Sequence, residues 1–212
     1  MKPFWRREEV EDRALLTLLE FRRRTGMRLA APIDVDLIGE LGCGLQWDWD
    51  VLPQPPRTLV WAALLPQEAR IVLNESHAEK FAANRGLERF TKAHEIGHWI
   101  LHVDHRQGQY APEVLEGIVM KGTISQIEQR ASQTKTYWME RHADWFAAAL
   151  LMPATLFVPA AERCNLSSPN AVSHLARKFD VSLAATRARL TQLGFQFAGA
   201  TPIARSQRVV VN

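Results

Sequence analysis

Two histidines four residues apart within a helical stripe constrain this chain more than any other feature. From about Leu87 to Val103, the residues Phe90, Ala93, Ile96, Gly97, Ile100 and Leu101 recur near one stripe. That period predicts a helix. His94 and His98 sit inside it. On a helix, residues four apart face the same way with about 6 Å of axial rise between them. Both imidazoles can therefore point at one Zn²⁺, each at about 2.0–2.1 Å. Glu95 lies next to that face, close enough to take a proton from an attacking water without ligating the metal itself.

Such a helix cannot complete the site alone. A catalytic zinc needs a third protein ligand and an open position. The longer pattern HExxHxxGxxH fails, because Leu101 and Asp104 stand where its glycine and third histidine would be. His102 is eight residues, about 12 Å, from His94 along a helix, and cannot share its metal while the helix continues. The better source is a second expected helix, from about Tyr137 to Leu151. There Glu140 and Asp144 share one face. Glu140 can ligate zinc, and Asp144 can accept a hydrogen bond from a ligand imidazole and fix its tautomer. His142 competes with Glu140, since imidazole also suits zinc. The two are about 200° apart on a helix, so only one can face the metal. The shared face with Asp144 favours Glu140. His94-Glu95-x-x-His98 is the HExxH spacing that zinc peptidases use, with the glutamate as general base.

At this point the sequence resembles a family. Arg89-Phe90-Thr91-Lys92-Ala93-His94-Glu95-Ile96-Gly97-His98-Trp99-Ile100-Leu101-His102 is similar to the active-site helix of the ImmA/IrrE metallopeptidases. Glu140-x-x-Ala143-Asp144-x-Phe146-Ala147-Ala148-x-Leu150-Leu151-Met152-Pro153 is similar to that family's second motif, with Glu140 at the ligand position. The strand Ile71-Val72-Leu73-Asn74 before them fits too, and the likeness spans roughly residues 10–195. Lys92 and Trp99 stand where smaller or apolar residues are usual, and His142 often has an acidic counterpart. The resemblance implies a compact, gluzincin-like fold. It also implies cleavage of regulatory proteins, typically DNA-binding repressors.

The rest of the chain predicts an α+β fold. A helix over Glu8–Arg24 ends at Gly26, and a short one over Ile33–Leu41 stops at Gly42 and Gly44. Leu45–Val51 alternates as a half-buried strand does, and Thr58–Leu65 and Arg70–Leu73 read as two more strands. The expectation is a small antiparallel or mixed sheet, an HExxH helix and a glutamate helix, in a zincin-like arrangement. Residues 104–134 read as a long loop or an excursion with a short helix. A helix-turn-helix-like pair flanks Phe179–Ser182. The expected division is a peptidase core over 1–153, a helical subdomain packed on it over 154–195, and a tail over 196–212.

Composition excludes several alternatives. With 47% apolar and 23% charged residues in 212, disorder, collagen and low-complexity classes fall away. Cys43 and Cys164 make no disulfide framework. The N-terminus is charged where a signal peptide needs an apolar stretch. The uncharged run Trp145–Ala161 is short for a span and carries Pro153 and Pro159, so it reads as a buried core helix. A cytoplasmic protein with no membrane partner is expected. The net charge of +3 is too small to imply nucleic-acid binding. Residues 163–212 carry +6, which permits weak, non-specific phosphate contacts.

Two functions compete. One is a zinc endopeptidase acting on a protein regulator, with Zn²⁺ held by His94, His98 and Glu140, and Glu95 moving the proton. The alternative is a DNA- or partner-binding module whose zinc is structural or vestigial; the presence of Glu95 favours the enzyme. The oxyanion donor stays open among His102, His105, Tyr110, Tyr137 and His142. Strand Arg70–Leu73 reads equally as an edge for an extended substrate and as an ordinary core strand. The helical pair near the C-terminus reads better as core packing than as a DNA-reading unit.

Overall fold

The structure is a computed structural model that describes residues 4–54, 59–105, 109–110 and 135–200. Helix α1 (Arg7–Thr25) puts Val10, Ala14, Leu18 and Phe21 on its buried face, at the three- and four-residue spacing of a helical stripe. Glu8 and Glu9 stand in its first turn and Arg22–Arg24 in its last, matching the helix dipole. Gly26 then takes a φ of 71°, the left-handed conformation that ends a helix most easily as glycine. The short helix α2 (Val35–Leu37) runs on into a π turn over Ile38–Gly42.

Three strands follow: β1 (Gln46–Asp50), β2 (Ala62–Leu65) and β3 (Arg70–Asn74). Their order is β1-β3-β2, with β1 parallel and β2 antiparallel to β3. The sheet is therefore mixed, and β3 is its middle strand. Gln46 lies opposite Arg70 on one side, and Leu65 opposite the same residue on the other. This decides the expectation for Arg70–Leu73: both of its edges are hydrogen-bonded, so it is a core strand with no edge to offer. Ile71, Val72 and Leu73 are all buried, the continuous apolar run of a strand covered on both faces.

Helix α3 (Ala78–Ala83), which the sequence pattern did not suggest, leads into α4 (Arg85–His102). The Asn84 side chain accepts from Leu87 N–H at 3.1 Å and caps α4. After α4, β4 (Val103–Asp104) pairs antiparallel with β5 (Gln109–Tyr110). The rest of the expected 104–134 excursion lies mostly outside the described residues, as do residues 201–212 of the expected tail. Helix α5 (Lys135–Leu151) packs along both α4 and α1. Helix α6 (Ala154–Glu162) then departs at 62° from α5, so the apolar run of 145–161 is two bent pieces. Among the described residues, no single helix is long and apolar enough to cross a membrane.

Helices α7 (Ala171–Phe179) and α8 (Leu183–Gln192) join the same core. Val172, Leu175, Phe179 and Leu190 are buried, and the Phe179 ring meets Phe157 at 5.0 Å. Arg189 on α8 is nearly solvent-free. Its Nε donates to the Met152 carbonyl at 2.9 Å, and its two terminal nitrogens grip both oxygens of Glu11 on α1. That fork ties α1 and α8 to the end of α5. Arg189→Ala would strand the carbonyl and the carboxylate. Glu11 keeps 31% of its side chain exposed, so the loss should fall below the ~3–5 kcal/mol of a fully buried pair, at about 2–3 kcal/mol. A fall in Tm of roughly 4–12 °C is expected. An unchanged melting curve would show the fork to be dispensable.

Candidate metal centre

Helices α4 and α5 meet at Gly97. A Cβ there would stand 3.1 Å from Ala143 Cα and 3.2 Å from its carbonyl oxygen. Only the missing side chain lets the two backbones approach this closely. Ala143 is flanked in sequence by His142 and Asp144, with Glu140 one turn back. The glycine inside His94-Glu95-Ile96-Gly97-His98 thus brings α5's acidic residues against α4's histidines.

The result is one compact group of donor atoms from His94, His98 and Glu140. His94 Nε2 lies 3.0 Å from His98 Nε2 and 3.3 Å from one Glu140 oxygen. The other Glu140 oxygen lies 3.5 Å from His98 Nε2. Four ligands set tetrahedrally around zinc, with bonds of 2.0–2.1 Å, would stand about 3.3 Å apart. The three observed separations bracket that edge length, so the residues fit a zinc-sized tetrahedral site. Asp144 takes the outer side of the group: its Oδ1 lies 3.0 Å from His94 Nδ1. A carboxylate there accepts a hydrogen bond from Nδ1–H and leaves the Nε2 lone pair free to coordinate.

Charge in the group is arranged for a cation. Burial alone would lower the His94 pKa, yet the hydrogen bonds and negative charges of Asp144 and Glu140 raise it well above the ordinary value. Burial would raise Glu140, but His98 and His94 outweigh it and hold the carboxylate well below its usual range. Two carboxylates thus favour positive charge where the three donors converge. Glu95 is half-buried, and burial raises its carboxyl from the ordinary value against the opposing pull of His98 and His94.

The remaining candidates sit elsewhere. His142 is outside the donor group: its Nε2 accepts the Trp5 backbone N–H at 3.4 Å, and its ring packs among Phe4, Trp138 and Trp145. Burial there pushes its pKa down to about 4. His102 ends α4 with its Nδ1 3.1 Å from His98 Nδ1, and burial keeps it well below the ordinary histidine value. Tyr137 packs against Trp138 and lies below the Arg141 guanidinium. The exposed His105 rests on Trp99, and Tyr110 stands in β5 opposite Val103. The unusual Lys92 has a plain role, pairing with Asp36 at 2.7 Å and Glu88 at 2.6 Å. The buried Arg89, whose role the sequence did not reveal, joins α4 to the carbonyls of Ile33 and Asp180.

A mixed three-stranded sheet, an HExxH helix and a glutamate helix define a zincin-like α+β domain. The chain belongs to the peptidase M78 family: residues 63–191 match the IrrE N-terminal-like domain. Among solved structures it is similar in fold to a Mycobacterium tuberculosis transcriptional regulator, at 19% identity and a TM-score of 0.50. That likeness covers 86% of this chain and 47% of the other, so the chain spans about half the length of the regulator. No curated protein matches the chain.

Proposed function

We propose that the chain is a zinc-dependent endopeptidase of the cytoplasm that cuts a protein regulator, with a DNA-binding repressor as the substrate class. The convergence of His94, His98 and Glu140 beside a half-buried Glu95 carries this reading. Zinc held there would polarise the scissile carbonyl and lower the pKa of an attacking water. Glu95 accepts the proton released on attack and delivers it to the leaving amine. Asp144 orients the His94 ring and fixes its tautomer. Among the described residues β1 and β2 are the edge strands of the sheet, and β2, packed on α4, is the edge we assign to pairing with an extended substrate backbone. The repressor as substrate follows from the family resemblance.

The test incubates zinc-loaded and chelated protein with DNA-binding repressors and follows cleavage by mass spectrometry. Cleavage by the zinc-loaded form alone is expected. A chain that takes up no zinc, or cuts equally after chelation, would sink the proposal.

The competing DNA-binding reading loses ground at Arg189, one of the basic residues behind the C-terminal charge, which is buried in an internal ion pair. Helix α7 and helix α8 spend their apolar faces on the core. Duplex binding is accordingly expected to be weak, sequence-independent and lost as salt rises. Sequence-selective binding at physiological salt, seen in a mobility-shift titration, would reverse this ranking.

A further inference from the structure

The two nitrogens of His98 have neighbours of different kinds. Nε2 faces His94 and Glu140, among the donors of the proposed centre. Nδ1 lies 3.1 Å from Nδ1 of His102, one turn further along α4. At that distance one nitrogen donates and the other accepts. We infer that His102 is a positioning residue: its Nδ1 accepts the Nδ1–H of His98 and holds His98 in the tautomer whose Nε2 lone pair faces the metal centre. The inference deepens the zinc-peptidase reading and rests on it.

Only one placement of the proton serves coordination. Were His102 to donate from Nδ1, the hydrogen of a neutral His98 would sit on Nε2, aimed at His94 and Glu140, and would block the lone pair. With His98 donating, His102 carries its own hydrogen on Nε2. Among the described residues that nitrogen is buried without a hydrogen-bond partner, an arrangement that costs stability. A side chain that merely filled this space, 4% exposed, would do so at lower cost as leucine. The ring is also held in place: it lies 5.2 Å from the His98 ring and 5.8 Å from that of His142. His94 has an anionic acceptor in Asp144, and His98 has a neutral one in His102.

The test compares His102→Asn and His102→Leu in the full chain. The Asn oxygen stands close to the place of histidine Nδ1 and keeps an acceptor, whereas Leu fills the space and removes it. Zinc affinity is read by competition with a chromogenic chelator, beside the Tm of each metal-free protein. His102→Leu should weaken zinc binding by roughly 10–100-fold, and His102→Asn by less than about threefold. The metal-free Tm of His102→Leu should not fall. Nitrogen NMR of the zinc-loaded wild type, which needs no variant, should show His102 uncoordinated with its hydrogen on Nε2. Equal zinc affinity in His102→Leu and wild type, equal losses in both variants, or His102 found ligated or protonated on Nδ1 would overturn the inference alone. A wild type that binds no zinc would overturn the metal centre and this inference with it.

Discussion

Glu95→Gln is expected to slow peptide cleavage by about 10²–10⁴-fold while the protein still takes up about one zinc per chain. Glu95 is next to His94 in sequence, yet its carboxylate is not among the converging donors. Its burial raises the pKa, which brings the carboxylate closer to the pH at which it must both take and return a proton. Glutamine keeps the shape and loses that capacity. The His94, His98 and Glu140 donors, and the Asp144 contact behind them, do not depend on residue 95. Cleavage rate and metal content measured on the same preparation separate the two roles. Loss of zinc together with activity would make Glu95 a ligand; retained activity would remove it from proton transfer.

Where the fold was legible in the sequence, the signal was local. The four-residue spacing of His94 and His98, and of Glu140 and Asp144, puts each pair on one helical face whatever surrounds it. The structure has both helices within two residues of their expected starts and one of their ends. The short strands were equally visible, because Leu45–Val51 alternates and Ile71–Leu73 is continuously apolar. The order of strands was not. That β3 lies between a parallel and an antiparallel neighbour depends on a non-local pairing that leaves no mark on the run itself. The edge reading for Arg70–Leu73 failed for that reason.

Three contacts were hidden for different reasons. Gly97 looked like part of the apolar stripe; its lack of a side chain matters only because Ala143 arrives from a helix some 45 positions away. Arg189 counted toward a basic C-terminal segment, since a sequence does not show that its partner is Glu11. His102 carried a usable clue. Its distance from His94 argued against a shared metal, but it is also four residues beyond His98. The same spacing that pairs His94 with His98 pairs His98 with His102.

The sharpest contest is for the third ligand. Glu140→Ala is expected to weaken zinc binding by more than the roughly 10–100-fold that loss of an outer hydrogen-bond partner costs, because it removes a donor from the group itself. It also leaves His94 and His98 facing each other at 3.0 Å without the carboxylate that bridges them. His142→Ala should leave zinc affinity within roughly tenfold of wild type. Its Nε2 is occupied by the Trp5 N–H, and its ring serves the aromatic cluster of Phe4, Trp138 and Trp145. Its cost should appear in stability, at about 1–3 kcal/mol. Zinc titration and thermal melting of both variants read the two effects separately. If His142→Ala loses its zinc while Glu140→Ala keeps it, α5 presents the metal with its histidine, and the carboxylate contacts seen here are not coordination.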